Sequence, residues 1–133
     1  MKYFLDTNII IYFLKGKSNL LVEKFRSVQP QDIYIPSVVY AELLVGAEKS
    51  QERQNNLKKT EAFVGRFTII SFGKEEAMHY AHLRAMLEKK GKLIGPNDLM
   101  IAAIVLSVNG ILVTNNEKEF NRVQSLKITN WTK

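Results

Sequence analysis

The chain has 133 residues, of which 46% are hydrophobic and 24% are charged, and it contains no cysteine. A chain of this length buries roughly two-thirds of its surface on folding, enough for one hydrophobic core, so we expect a single domain over residues 1–133. The lack of cysteine excludes disulfide frameworks, thiolate zinc sites and cysteine nucleophiles. Nineteen Lys and Arg against thirteen Asp and Glu give a net charge of +6, which favours a polyanion such as nucleic acid as the partner.

Membrane insertion and export are not expected from the apolar stretches. Asp6 and Asn8 interrupt the stretch at the N-terminus, so it does not form a signal-peptide core. The stretches from Ile33 to Ala47 and from Leu99 to Val113 contain polar residues and fall short of the roughly 18 apolar residues that a membrane span needs. With the absence of cysteine, this predicts a cytoplasmic protein with no membrane partner.

Five short apolar runs, each bounded by polar or turn-forming residues, predict buried strands at Tyr3–Leu5, Ile33–Ile35, Phe67–Ile70, Ile111–Val113 and Leu126–Ile128. Helical spacing of apolar residues predicts helices at Ile9–Leu14, Ser37–Lys49, Gln51–Arg66, Lys74–Lys90 and Pro96–Val108. The inner face of the fourth helix is expected to carry Ala77, Tyr80, Ala81, Met86 and Leu87. Because strands and helices alternate, the predicted fold class is α/β, with a mainly parallel sheet and helices on both faces.

The carboxyl ends of the strands are the first place to look for a site, since ligands bind there in open α/β sheets. Asp6 directly follows the first strand, and Thr7 and Asn8 come after it. A carboxylate beside an apolar segment is costly without a partner, which indicates a functional group. The alternative is that Asp6 or Asn8 caps the following helix.

Two further carboxylates have unusual surroundings in the sequence. Glu42 lies in a predicted helix that is apolar on nearly every side, so it should be paired, protonated or bound to a metal ion. Its alternatives are an ordinary ion pair and a narrow polar face of the helix. Asp98 falls in the first turn of the helix that begins near Pro96, where the helix dipole alone favours an anion by about 0.3–1 kcal/mol.

Convergence of Asp6, Glu42 and Asp98 would require a counterion. Two like charges about 4 Å apart repel by up to roughly 4 kcal/mol at an effective dielectric constant of about 20. Oxygen ligands select hard cations such as Mg²⁺ or Mn²⁺, and such an ion polarises a phosphoryl oxygen and lowers the pKa of a water molecule. If they converge, these residues predict metal-dependent phosphodiester hydrolysis.

Polar residues also follow the fourth predicted strand, beginning with Thr114. Asn116 and Glu119 have the spacing of an N-terminal helix cap with a reciprocal carboxylate at its third position. A purely structural role is therefore an alternative to a role in the site for these two residues.

The sequence resembles the PIN-domain ribonucleases, and among them the VapC-type toxins of bacterial toxin–antitoxin pairs, over essentially its whole length. The matching segments are Phe4–Asn8, Ile35–Ser37 with Ala41–Leu43, Ile94–Asp98 with Ile101–Ala103, and Val113–Asn116 with Glu119–Phe120. Each motif is weak alone, but four in this order make the resemblance specific. It implies a three-layer α/β/α sandwich with a parallel sheet of about five strands.

The resemblance also implies an activity and a site. Asp6, Glu42 and Asp98 are implied to hold Mg²⁺, with Mn²⁺ as a substitute, and to hydrolyse RNA through a metal-activated water. The implied supporting residues are Thr7, Asn8, Thr114, Asn116 and Glu119. Many relatives have an aspartate at the position of Asn116, whose amide cannot neutralise charge, so the number of bound ions stays open.

The implied partners are RNA, a second copy of the chain in a homodimer, and a VapB-type antitoxin that covers the site. Lys89, Lys90 and Lys92 are the first candidates for RNA phosphate contacts, and Lys15 and Lys17 are the second. Lysines at the C-terminus of a helix are also favoured by its dipole, so a structural role is the alternative.

Other functions remain open at this point. An RNA-binding or RNA-processing domain with a depleted metal site is one, and Asn116 motivates it. Phosphatase chemistry with Asp6 as nucleophile is another, although such enzymes normally have a second aspartate where this chain has Asn8. His79 and His82 share a helix face, but no third soft ligand is apparent, so we expect ordinary surface residues there. Trp131 is expected to anchor the last strand.

Overall fold

A computed structural model describes all residues from 1 to 133. The strands are β1 (Tyr3–Leu5), β2 (Ile33–Pro36), β3 (Thr68–Ile70), β4 (Ile111–Val113) and β5 (Lys127–Thr129). The helices are α1 (Thr7–Leu14), α2 (Asn19–Ser27), α3 (Ser37–Lys49), α4 (Arg53–Val64), α5 (Lys74–Lys89), α6 (Pro96–Ser107) and the short α7 (Glu117–Phe120). Every predicted strand and helix is present with ends shifted by two residues or fewer, whereas α2 was not predicted.

The five strands form one sheet in the order β3-β2-β1-β4-β5, and all neighbouring strands are parallel. The predicted parallel α/β fold is therefore confirmed. From β1 the chain continues to β2 on one side, whereas β4 lies on the other side of β1. Strand order thus reverses between β1 and β4, and a crevice opens at the carboxyl ends of strands at such a point.

Helices cover both faces of the sheet because parallel strands are joined by right-handed crossovers, and the crossovers run in opposite directions on the two sides of β1. One face carries α1, α2 and α4, whose phenylalanines Phe13, Phe25 and Phe63 pack with ring centroids 4.3–6.1 Å apart. Trp131 joins this cluster, 5.4 Å from Phe25 and 5.4 Å from Tyr3, and is almost fully buried. Trp131 therefore anchors the end of the chain, as predicted.

The core contains 26 buried hydrophobic residues. They include residues of the three inner strands, β2, β1 and β4, and most of α6. Helix α5 packs on the outside of α6, so only a narrow stripe with Leu83 and Leu87 is buried. The predicted inner face of α5 is wrong at Ala77 and Ala81, which are exposed. No helix combines the length and the apolar character needed to cross a bilayer.

The close approach of β4 to β1 predicts a strict requirement for glycine at position 110. A Cβ atom there would lie 2.6 Å from Cε1 of the buried Phe4 and 3.2 Å from the Lys2 carbonyl oxygen. We expect Gly110→Ala to lower the free energy of unfolding by about 1–3 kcal/mol because the core has no room for the methyl group. Urea denaturation measures this change.

Gly46→Ala is the matched control for that substitution. Gly46 lies within α3, and a Cβ atom added to it would have no other atom within 4 Å. Alanine favours a helix more than glycine does, so this variant should unfold at an equal or higher urea concentration. Equal midpoints for the Gly110→Ala protein and the wild type would contradict the packing argument.

Candidate active site

Asp6 lies at the carboxyl end of β1, beside the end of β4. Because Leu5 pairs with Val113, the next residues, Asp6 and Thr114, also face each other across the two strands. The Thr114 hydroxyl donates a hydrogen bond of 2.7 Å to Asp6 Oδ2, and the Thr7 backbone N–H donates one of 2.8 Å to Oδ1. Both Asp6 and Thr114 are buried. Asp6 therefore caps α1 with one oxygen and is held at the crevice by the other.

Glu42 reaches the same crevice from α3. The Thr7 hydroxyl donates a 2.6 Å hydrogen bond to Glu42 Oε1, and the Asn97 side-chain amide donates one of 3.3 Å to Oε2. None of the three ion pairs in the structure includes Glu42, so the alternative of an ordinary ion pair is not realised. Thr7 thus positions two carboxylates, one through its backbone and one through its side chain.

Asp98 and Glu119 form the opposite side of the site. The carboxyl group of Asp98, in the first turn of α6, is in hydrogen-bonding contact with that of Glu119. Glu119 also accepts a 3.0 Å hydrogen bond from the Gly95 backbone N–H and one of 3.2 Å from the Asn116 side-chain amide. The reciprocal capping box predicted for Asn116 and Glu119 is absent, because the Asn116 backbone N–H donates to Thr114 Oγ1 instead.

The crowding of carboxylates changes their proton affinities. Burial, followed by repulsion from Asp6, raises the pKa of Asp98 to about 7. Burial also raises the pKa of Asp6, against the opposing effect of the hydrogen bond from Thr114. The pKa of Glu119 is lowered, chiefly by the hydrogen bond from Gly95. Just below about pH 7 the proton of the contacting pair therefore belongs to Asp98, which donates a hydrogen bond to the Glu119 carboxylate.

The donor chemistry of this cluster fits a hard divalent cation. Asp6, Glu42, Asp98 and Glu119 offer only oxygen ligands, and none of the four has a lysine or arginine partner in an ion pair. No three acidic or histidine side chains are arranged as a closed metal-binding cluster. A cation would have to draw them together and displace the proton of Asp98.

The other predicted site residues have different surroundings. Asn8 is exposed and its side chain makes no hydrogen bond, and Lys89, Lys90 and Lys92 are exposed at the end of α5, so their roles stay predictions. His79 and His82 are exposed and belong to no metal-binding cluster. Asn97 was missed as a site residue. Its position beside Asp98 at the start of a helix was the available signal.

Comparison with known proteins agrees with this architecture. The PIN domain profile matches residues 3–126. The chain is 41% identical over 131 residues to Ribonuclease VapC2 of Haemophilus influenzae, covering 98% of each chain. It is 40% identical to the tRNA(fMet)-specific endonuclease VapC of Shigella flexneri, covering 99% of each. The fold superposes on a chain of DNA-bound VapBC from Salmonella typhimurium with a TM-score of 0.93, 36% identity and 98% coverage of each chain.

These likenesses define a PIN domain with an acidic crevice at the point where the strand order reverses. The chain belongs to the VapC ribonucleases, the toxins of VapBC toxin–antitoxin systems.

The raised pKa of Asp98 predicts that metal-free stability falls as pH increases. Between about pH 4 and 7 the folded protein retains a proton on Asp98 that the unfolded chain has lost, so the free energy of unfolding decreases through this window. Asp98→Asn removes this effect. In EDTA at pH 7.5 the variant should be more stable than the wild type by about 1 kcal/mol, a value discounted for the partial exposure of the side chain.

Thermal unfolding of both proteins across this pH range measures the difference. The two melting temperatures should converge towards pH 4 and separate by roughly 4 °C at pH 7.5. A separation that does not change with pH would show that Asp98 has an ordinary pKa.

Proposed function

We propose that this ribonuclease cleaves RNA by metal-dependent hydrolysis at the acidic crevice, with Asp6, Glu42 and Asp98 as the catalytic, metal-binding residues. Mg²⁺ is the proposed cofactor and Mn²⁺ its substitute, since the donors are all oxygen atoms. The observation that carries the proposal is the crowding of four carboxyl groups, none of which has a lysine or arginine partner in an ion pair. Burial and, after it, repulsion from Asp6 raise the pKa of Asp98 to about 7. A divalent cation would relieve this repulsion.

The side chains of the crevice have distinct tasks in this mechanism. When bound, the ion polarises a phosphoryl oxygen and lowers the pKa of the attacking water. Thr114 and the Thr7 backbone hold the Asp6 carboxylate, and the Thr7 hydroxyl and Asn97 hold Glu42, so the ligands are ordered before substrate arrives. Asp98 would hold the ion in its ionised form, so its proton would leave to solvent. Glu119, whose pKa is lowered chiefly by the hydrogen bond from Gly95, stays ionised beside it.

The proposed substrate is RNA, which the positive net charge of the chain attracts. The net charge of +6 attracts RNA, while the acidic crevice confines the reaction to one place. Lys89, Lys90 and Lys92, in the segment before α6, remain the proposed phosphate contacts. Because the Shigella relative is named as specific for tRNA(fMet), this tRNA is the first substrate to test.

A VapB-type antitoxin and a second copy of the chain are the proposed protein partners. Solved structures of relatives are VapBC complexes from Salmonella typhimurium and Rickettsia felis. Tyr12, Leu14 and Leu20 on the surface of α1 and α2 are each more than a third exposed, an arrangement that suits an apolar segment of such a partner.

The alternative functions have less support. A phosphatase would need an acid two residues after Asp6, whereas Asn8 is an exposed amide whose side chain makes no hydrogen bond. In a domain with a depleted metal site, Asn116 would replace an acidic residue and no other carboxylate would lie nearby. Here the Asn116 side-chain amide instead donates to Glu119 of α7, which gives the crevice a fourth carboxylate.

Asp6→Asn should abolish RNA cleavage, lowering kcat by about three orders of magnitude or more, because the amide cannot balance the charge of the cation. Asp32→Asn is the matched control, since Asp32 lies outside the crevice and makes no side-chain hydrogen bond. Cleavage of tRNA(fMet) and of total tRNA measures both variants, with circular dichroism as the test of folding. Undiminished cleavage by folded Asp6→Asn protein would refute the mechanism.

Mg²⁺ or Mn²⁺ should raise the melting temperature of the wild type in a saturable manner. At one hundred times the dissociation constant the stabilisation is about 2.7 kcal/mol. The shift should be lost in Asp6→Asn and kept in Asp32→Asn, and EDTA should reverse it. Equal shifts in all three proteins would mean that the ion binds elsewhere.

A further inference from the structure

A groove lies beside the acidic crevice, between the end of α1, the middle of α3 and the first turns of α4. Its volume is about 390 Å³. Its floor is apolar and is formed by Ile11, Leu14, Leu43 and Ala47, and polar groups of α4 line its far wall. The groove is therefore a concave surface with the mixed character of a small-ligand or nucleotide pocket.

The rim of the groove is cationic. Lys15 follows the last turn of α1 and Lys59 projects from α4, and both line the groove. Neither forms one of the three ion pairs of the structure. Two lysines without acidic partners at one concave surface favour an anionic ligand, and phosphate is the anion that a flexible ammonium group commonly contacts.

The groove also offers a polar group suited to a nucleobase. Asn56 lines it and uses its side-chain N–H to donate a 2.9 Å hydrogen bond to Ser50 Oγ. This bond fixes the orientation of the amide and leaves the Asn56 carbonyl oxygen as an acceptor. An apolar floor for a base, an amide at its edge and lysines for the backbone are the components of single-stranded RNA recognition.

The groove is continuous with the acidic crevice through Glu42, so a ligand in the groove would lie next to the crevice. Glu42 lines the groove and also accepts the hydrogen bonds of Thr7 and Asn97. One turn further along α3, Gly46 lines the groove with no side chain, and no atom outside the adjoining backbone of α3 lies within 4 Å of the place where a Cβ would be. A chain that enters the crevice at Glu42 can therefore lie directly against α3 at Gly46.

We propose that this groove is a nucleotide subsite for the RNA substrate, in which the base next to the cleaved bond packs on the apolar floor and Lys15 and Lys59 contact the flanking phosphates. The proposal rests on the proposed function, because the cleaved phosphodiester is placed at the acidic crevice. It makes Lys15, Lys59 and Gly46 determinants of substrate binding, with no part in the chemical step.

Binding of a short fluorescent single-stranded RNA in EDTA tests the subsite without cleavage. The double variant Lys15→Ala/Lys59→Ala should weaken binding by about tenfold and reduce the slope of log K against log salt by about 1.4, which is about 0.7 for each lost phosphate contact. Lys127→Ala on the edge strand β5 is the single-charge control and Lys24→Ala/Lys127→Ala the charge-matched one, since neither lysine lines the groove. Equal losses in the groove and control double variants would overturn the assignment.

Gly46→Leu tests the same subsite by filling it, with Ala85→Leu as the matched control, since Ala85 is exposed on α5 and does not line the groove. The Gly46→Leu variant should raise KM for RNA by about tenfold with little change in kcat, while the Ala85→Leu variant should behave like the wild type. Melting temperatures establish that both variants are folded. A Gly46→Leu protein with unchanged KM and unchanged RNA affinity would overturn the assignment.

Inhibition by the cognate antitoxin shows whether RNA or a protein segment occupies the groove. If the groove variants bind and cleave RNA normally but escape inhibition, the groove receives protein and the assignment to RNA is wrong. If the wild type binds RNA through Lys15 and Lys59 but cleaves none, the subsite is supported and the proposed hydrolysis fails. If the groove variants lose RNA binding and the wild-type protein cleaves RNA, both the subsite and the proposed hydrolysis are supported.

Discussion

Mutual repulsion among four carboxyl groups is the constraint on which the rest of this structure depends. Asp6, Glu42, Asp98 and Glu119 come from four separate segments, and each must be kept near the others without an ion pair to a lysine or arginine. The protein restrains them with short hydrogen bonds from neutral donors, above all the two from Thr7 and the one from Thr114. Such bonds fix the geometry but leave the negative charge available to a cation.

The apolar framework supplies the rigidity that these restraints need. Strands β1 and β4 are only three residues long, yet their inner residues are fully buried and their register is fixed. A shift of one residue would turn every side chain to the other face of the sheet, so the register that buries the core also places Asp6 beside Thr114. Stability of the core and geometry of the crevice are therefore set by the same pairing.

The strands, the parallel sheet and the residues at the strand ends could be predicted from the sequence. Helix α2 and the contacts of Glu119 were not predicted. Short apolar runs followed by Asp6 and Thr114 indicate strand ends, and the alternation with helices indicates a parallel sheet. Helix α2 was missed although Ser18 accepts a hydrogen bond from the Leu21 N–H as its N-terminal cap. The contacts of Glu119 were unpredictable, because Gly95 is 24 residues away and the local capping pattern suggested a different partner.

Helix α1 connects the crevice to the groove, so its length sets the distance between them. Thr7 begins the helix against two carboxylates, and Lys15 follows its eighth and last residue. Eight residues of α-helix span about 12 Å, and a helix of this kind neither stretches nor bends appreciably. Insertion of one residue would move Lys15 by about 1.5 Å and rotate it by about 100° away from the groove. In the proposed RNA subsite, the residue count of α1 therefore sets the distance between the crevice and the phosphate assigned to Lys15.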